Sequence, residues 1–268
     1  VPGEASTTFD RDTAVQPLGD GRYGVRFDAR WWVIRGPNGG YLAAILTRAI
    51  RAEVADDARR LRSLTVHFLS VPAEGEGVAT VRIERTGRSL STVTARLEQD
   101  GTVVALAVAA LAGAYPAAVE YDQVRMPEVA LPEDIVVPPA VAGDFDAPFR
   151  HNFAIRPALG PLPFTSADRA LTGAWMRLRE ERPIDEAIVV ALCDSWWPAP
   201  YAVSDRPLMA PTIDLTVHVR AALPLAHDDL LVEARSDLAR DGYFEEDVRI
   251  FTRDGLLVAH SRQLALAL

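Results

Sequence analysis

Leu64-Thr-Val-His67 returns later in the chain as Leu215-Thr-Val-His218. Gln99-Asp-Gly-Thr-Val-Val-Ala105 returns, in the same order, as Arg253-Asp-Gly-Leu-Leu-Val-Ala259, with its leading residue changed. Two echoes at nearly equal spacing mark a duplicated unit, and such a unit must bury its apolar face against its copy. The residues around the echoes repeat as patterns. In the first half, Gly24–Trp31 alternates apolar and polar at period two, which predicts a strand. Arg35-Gly-Pro-Asn38-Gly39-Gly40 then breaks the strand and opens a helix over Tyr41–Arg51. Glu53–Arg62 reads as its solvated end. Four strands follow, over Ser63–Ser70, Val78–Arg85, Ser89–Gln99 and Thr102–Ala114, with a hairpin signal at Asp100-Gly101.

The second half repeats this plan. A strand over Leu171–Leu178 leads to a helix over Ile184–Trp197. Strands are expected over Thr212–Arg220, Leu230–Ala239, Phe244–Thr252 and Leu256–Ala267, with a second hairpin signal at Asp254-Gly255. Residues 1–20 are polar and expected to be loosely attached. Pro116–Pro163 holds nine prolines and little periodicity, so it reads as a long connection over the surface. Part of it should be ordered, because Phe145, Phe149 and Phe153 would otherwise be exposed. The expected organisation is an N-terminal unit over 1–115, the connection over 116–163 and a C-terminal unit over 164–268. Hairpins make the strands antiparallel. One apolar helix laid across the concave face of a curled sheet, twice over, gives an α+β pseudo-dimer.

The second helix is Glu186-Ala-Ile-Val-Val-Ala-Leu-Cys-Asp194-Ser-Trp196-Trp197. It is apolar almost all round, which suits a helix inside a protein. Yet it carries Asp194 near its C-terminal end, where desolvating a carboxylate is costly without partners. Two further polar residues, Thr212 and Gln263, interrupt apolar strand patterns. The repeat supplies a control. The positions matching Thr212 and Gln263 in the first half are Leu61 and Ala109, and Tyr41–Arg51 holds no carboxylate. Polar groups confined to one copy of a duplicated scaffold point to a single asymmetric site.

Composition narrows the function classes. The chain has 268 residues, 49% of them hydrophobic, and a net charge of −9, with no basic cluster to attract nucleic acid. No apolar run is long enough to span a membrane. A lone cysteine, Cys193, excludes an intrachain disulfide and fits a reducing compartment. Val1–Asp20 lacks the apolar core of a signal peptide, so a cytoplasmic location is expected. No Gly-x-Ser-x-Gly elbow, phosphate loop or metal-ligand spacing occurs.

These fragments resemble the acyl-CoA thioesterase II (TesB-type) family. Pro37-Asn-Gly-Gly-Tyr-Leu-Ala-Ala44 resembles the Gly-Gly that opens the first helix of its double hotdog fold. Cys193-Asp194-Ser195, Pro211-Thr212-Ile213-Asp214 and Ser261-Arg-Gln263-Leu264 resemble the segments that carry its catalytic Asp, Thr and Gln. The resemblance spans nearly the whole chain. Trp196-Trp197-Pro198 and the 116–163 connection depart from the family pattern at the places that bear on acyl preference. The resemblance implies hydrolysis of acyl-CoA to CoA and a free fatty acid, with no cofactor and no metal. It also implies further association into a homo-oligomer. Asp194, Thr212 and Gln263 are expected to orient and polarise the attacking water.

On chemical grounds a thioester needs a placed water, a proton acceptor and donors for the oxyanion. Asp194 is the expected base, with a direct nucleophile as the second alternative. Thr212 and Gln263 are expected to hold the water and donate hydrogen bonds to Asp194. Backbone N–H groups at Gly39 and Gly40, at the start of the first helix, are the expected oxyanion donors and substrate contacts. Plainer readings stand beside these. Asp194 could be a buried acid paired with arginine, Thr212 a β-former, Gln263 a strand-edge residue and Gly39-Gly40 a helix-opening turn. Cys193 and Trp196-Trp197 read as core, and His67 and His218, at matched repeat positions, as structural. A non-catalytic acyl-CoA or lipid-binding protein is the competing functional class, with a hotdog dehydratase behind it.

Overall fold

The computed structural model describes residues 6–137 and 147–268. In chain order the elements are α1 (Thr8–Asp12), β1 (Gln16–Gly19), β2 (Arg22–Phe27), α2 (Gly39–Val54), β3 (Arg60–Phe68), β4 (Gly75–Thr86), β5 (Leu90–Gln99) and β6 (Thr102–Ala112). They continue with β7 (Phe153–Leu159), β8 (Leu171–Leu178), α3 (Glu186–Leu192), α4 (Pro200–Val203), β9 (Thr212–Val219), β10 (Leu230–Arg235), β11 (Ala239–Arg240), β12 (Tyr243–Phe251) and β13 (Leu257–Leu266). The described strands form one antiparallel sheet in the order β1-β2-β4-β5-β6-β3-β9-β13-β12-β10-β8-β7, with β11 attached to β12. This is the α+β double hotdog: each half curls around its helix, and α2 packs on α3 as well as on β3–β6.

The echoed tetrapeptides meet at the junction of the halves. β3 pairs with β9 so that Thr65 faces Thr216, Ser63 faces His218 and His67 faces Asp214. Matched residues therefore lie about a local two-fold axis, and the two threonine hydroxyls touch across it at 3.0 Å. Strands such as β4 and β5 alternate because only one face meets the helices, whereas β8 and β10 are buried on both faces. On β12, Phe244, Glu246, Val248 and Ile250 are buried at alternate positions, and Phe251 is buried in the outer cluster. Asp100 and Gly101, with φ of 49° and 78°, close the β5–β6 hairpin with the left-handed pair that a two-residue turn requires. Asp254-Gly255 makes a wider turn, in which Thr252 N–H reaches Leu256 O and only Gly255 has positive φ.

α2 begins where the Asn38 side chain accepts the Tyr41 N–H, and ends at Ala55 in the left-handed region. From Gly40 to Ile50 it is buried except at Arg48, which matches its continuous apolar reading. α3 starts at an Asp185 cap.

Three expectations are corrected. Residues 7–19 are docked rather than loose: Thr7 caps α1, Phe9 is buried, and Arg48 binds Asp10 at 2.7 Å. One aromatic in a polar stretch was too small a signal. The 116–163 connection ends in a strand, β7, whose Pro157 is tolerated because β7 lies at the sheet edge and pairs only with β8. Its earlier part does cross the outer surface, packing Val124, Met126, Val129 and Ile135 over Trp175, Leu231 and Phe251. Phe149 and Phe153 are buried as expected, and Phe145 lies outside the described residues. The second helix stops at Leu192 instead of reaching Trp197, because Asp194 and Ser195 bond to carbonyls three residues back and Pro198 cannot continue the ladder.

Candidate active site

That early stop decides where Asp194 points. Asp194 N–H bonds to Ala191 O and Ser195 N–H to Leu192 O, both at 3.3 Å, while Ser195 Oγ donates to Ala191 O at 2.5 Å. The tightened turn carries the Asp194 carboxylate to the start of α2. There Oδ2 accepts the Gly40 N–H at 2.9 Å and the Asn38 Nδ2 at 3.1 Å. Asn38 Nδ2 also donates to the Asp194 carbonyl at 2.6 Å, and its Oδ1 accepts the Tyr41 N–H at 3.1 Å. One side chain thus caps α2 and clamps the acid. Burial pushes the Asp194 carboxyl up to about 6, against the pull of the Gly40 and Gly39 N–H groups and the Asn38 amide. The positive end of α2 favours the anion in the same place.

Both glycines are demanded by close approach. A Cβ on Gly39 would stand 2.8 Å from Asp194 Oδ2, and one on Gly40 would stand 2.5 Å from the Ala191 carbonyl oxygen.

Thr212 opens β9. Its Oγ1 donates to Gln263 Oε1 at 3.1 Å. Gln263 Nε2 donates to Glu246 Oε1 at 2.7 Å, and Glu246 Oε2 accepts the Ala199 N–H. Glu246 and Gln263 are both buried. Burial pushes Glu246 up to about 7, opposed by the Ala199 and Gln263 donors, and the Asp194 charge adds to the rise. The pairings extend the repeat comparison. Gln263 faces Leu215 and Glu246 as Ala109 faces Leu64 and Val93, and Thr212 faces Ala265 as Leu61 faces Leu111. The first half fills the three matching places with buried Leu61, Val93 and Ala109.

Asp194, Thr212 and Gly39 line one cavity of about 290 Å³. Its walls are mainly apolar, with Leu42, Phe68, Phe149, Trp196 and Trp197 prominent. Gln263 and Glu246 stand behind Thr212, out of the cavity wall.

Family profiles describing the acyl-CoA thioesterase N-terminal and C-terminal domains match residues 28–112 and 132–267. The chain belongs to the TesB-like acyl-CoA thioesterase family. Among solved structures it is similar to a conserved hot dog fold protein of unknown function from Alicyclobacillus acidocaldarius, with 29% identity, TM-score 0.88 and coverage of 98% of this chain and 99% of that one. A candidate thioesterase II from Thermobifida fusca is 26% identical, with TM-score 0.83 over 100% of this chain and 98% of that one. The acyl-CoA thioesterase II TesB2 from Mycobacterium marinum shares the fold at 21% identity, with TM-score 0.77 over 97% and 98%. None of the curated proteins searched matches the sequence. Family and fold support thioesterase activity in general.

In this family member the donors to the acid differ from expectation. Among the described residues, no hydrogen bond links Asp194 to Thr212 or Gln263; Asn38 and the helix-start backbone do that work. The Gly40 N–H expected to face an oxyanion is engaged by Asp194 itself. Among the described residues, no arginine pairs with Asp194 either. Sequence reasoning missed Asn38, although it stands in the motif beside Gly39. It also missed Glu246, an acid in phase with the inward residues Phe244 and Val248. Cys193 is buried and its thiol is pushed up to about 12 by burial, which suits core. Trp196 and Trp197 serve as cavity wall, and the Arg150 guanidinium lies 3.9 Å from the Trp197 ring centre. His218 and His260 pair their rings 4.9 Å apart, outside the cavity lining. Among the described residues, no cluster could hold a metal ion and no helix is long and apolar enough to cross a membrane.

Proposed function

We propose that the protein hydrolyses acyl-CoA thioesters with a water held between Asp194 and Thr212. The observation that supports this best is that the Asp194 carboxylate and the Thr212 hydroxyl, both from the second half of a duplicated scaffold, share the wall of one mainly apolar cavity, while the first half has Leu61 at the place of Thr212. A carboxyl near 6 is ionised at neutral pH yet basic enough to take a proton. The acyl chain occupies the apolar part of the cavity. The water oxygen attacks the thioester carbonyl carbon while a water proton passes to Asp194. The tetrahedral intermediate then collapses, the C–S bond breaks, and the CoA sulfur leaves with the proton that Asp194 returns. The products are the free acid and CoA.

Thiol release across a panel of acyl-CoA lengths tests the reading. The wild-type chain should release thiol, and Asp194→Asn should lose about 10²–10⁴-fold in kcat, the usual contribution of a general base. Saturable acyl-CoA binding without thiol release would instead make the protein a binder, and full activity in Asp194→Asn would remove the proposed base.

A further inference from the structure

We propose that Glu246 is a positioning residue that fixes the direction of hydrogen bonding through Gln263 to Thr212, so that Thr212 turns a lone pair toward the water. The inference rests on the thioesterase reading above. An amide such as Gln263 has one accepting end and one donating end of nearly equal shape. An ionised carboxylate only accepts. With Glu246 Oε2 bound to the Ala199 N–H, its Oε1 meets Gln263 at 2.7 Å and admits only the NH₂ end. Gln263 Oε1 is thereby turned to Thr212, and the Thr212 hydroxyl must donate to it. The proton of that hydroxyl is committed away from the cavity, so Thr212 offers the cavity an acceptor.

The consequence for the reaction is geometric. A water between Thr212 and Asp194 gives one hydrogen to each, because both accept. Its remaining lone pairs are free for the carbonyl carbon. Reverse the chain, and Thr212 would donate to the water oxygen, which lowers its nucleophilicity and removes one of the two acceptors that orient it.

Glu246 has no evident packing purpose. The matching place in the first half is Val93, fully buried, so an apolar residue satisfies the fold there. An acid buried at this point is costly to keep ionised. Protonated Glu246 would be able to donate, which permits the reversed chain. The charged and titratable groups bearing on it are Asp194, Asp247 and Tyr201. Asp194 and Asp247 raise its proton affinity, so the chain direction is sensitive to pH near neutrality.

The experiment compares wild-type, Glu246→Gln and Glu246→Val chains by steady-state thiol release from an acyl-CoA between pH 5 and 9, with thermal melting as a control. Glutamine copies the protonated acid in shape and can donate. The expected result is a drop in kcat of roughly 10–100-fold, the range seen when a supporting partner of a reacting group is lost. KM should stay within about threefold. The pH profile should lose its upper acid ionisation and keep only that of Asp194. Should Glu246→Gln fail to fold, Glu246→Val, which copies the first half, carries the same comparison. Wild-type kcat in either variant overturns the inference while leaving the thioesterase reading intact. So does a loss of kcat that merely tracks a lower melting temperature and keeps the wild-type pH profile. Absence of thiol release from the wild-type chain ends the thioesterase reading, and this inference with it.

Discussion

Asp194→Asn should inactivate the protein and stabilise it, and the size of the stabilisation can be worked out. Burial raises the Asp194 carboxyl from the ordinary 3.8 to about 6 in the folded state. A difference of about two pH units, at 1.36 kcal/mol each, is ~3 kcal/mol. The sign follows from proton binding. Between pH 4 and 6 the folded chain holds a proton at Asp194 that the unfolded chain has lost, so stability falls as pH rises through that window. Above pH 6 the penalty is complete; below pH 4 it is absent. Asparagine removes it. Its Oδ1 can accept both the Gly40 N–H and the Asn38 amide, because both donate to the same carboxylate oxygen. The cavity beside Asp194 moderates the desolvation, so about 1–3 kcal/mol of stabilisation is expected at pH 8. For a chain of this size that is a rise of roughly 3–9 °C in Tm. Chemical denaturation of both chains at pH 8 and pH 4 measures it. Equal stability gains at the two pH values, or destabilisation at pH 8, would refute the argument, because neither follows from a strained anion.

Other perturbations give distinct signatures. The kcat for thiol release should fall on the acid side, with Asp194 titrating near 6 and Glu246 near 7, and should not recover with added metal. Gly39→Ala places a methyl 2.8 Å from Asp194 Oδ2 and should lower kcat by about 10–100-fold with little loss of stability, since a side chain can shift. Gly40→Ala instead meets the Ala191 carbonyl at 2.5 Å and should destabilise the chain by about 1–3 kcal/mol in urea, because two helix backbones must separate. Thiol-alkylating reagents should neither label Cys193 in the native chain nor reduce its activity, as the thiol is buried and pushed up to about 12.

The fold was legible because its two strongest sequence signals are also its two-fold axis and its hairpin. Leu64-Thr-Val-His67 and Leu215-Thr-Val-His218 pair with each other, so the repeat read from letters is a contact in space. Strand positions followed from period two, and α2 from its apolar run and the Asn38-Gly39-Gly40 break. What escaped notice was carried by single residues. Phe9 is the one buried residue of α1, and Pro157 disguised an edge strand as a connection. The end of α3 depends on side-chain and carbonyl bonds that no periodicity encodes. At the site, Asp194, Thr212 and Gln263 stood out because each is polar where its copy or its pattern is apolar. Glu246 meets the same criterion against Val93, but that match depends on strand register, and Glu245 and Asp247 flank it with further acids.

The asymmetry between the halves has a physical reason that reaches beyond counting polar residues. The start of α2, in the first half, supplies the donors, and the end of α3, in the second, supplies the acid. A carboxylate at the end of α3 alone would face the negative pole of its own helix. Set against the start of α2, it gains two N–H groups and an amide. The reciprocal arrangement at the start of α3 is occupied otherwise: Asp185 caps that helix and pairs with Arg182 at 2.7 Å. An acid opposed to it from α2 would meet a like charge. Duplication therefore provides two helix starts, but the residue at the cap, Asn38 in one and Asp185 in the other, decides which can hold an anion. Changing Asn38 to Asp should place two carboxylates at one helix start. Activity should then fall steeply at neutral pH, with part of it restored as the pair shares a proton at lower pH. A neutral-pH kcat unchanged in Asn38→Asp would mean that the cap residue does not govern the acid, and the account of the asymmetry would fail.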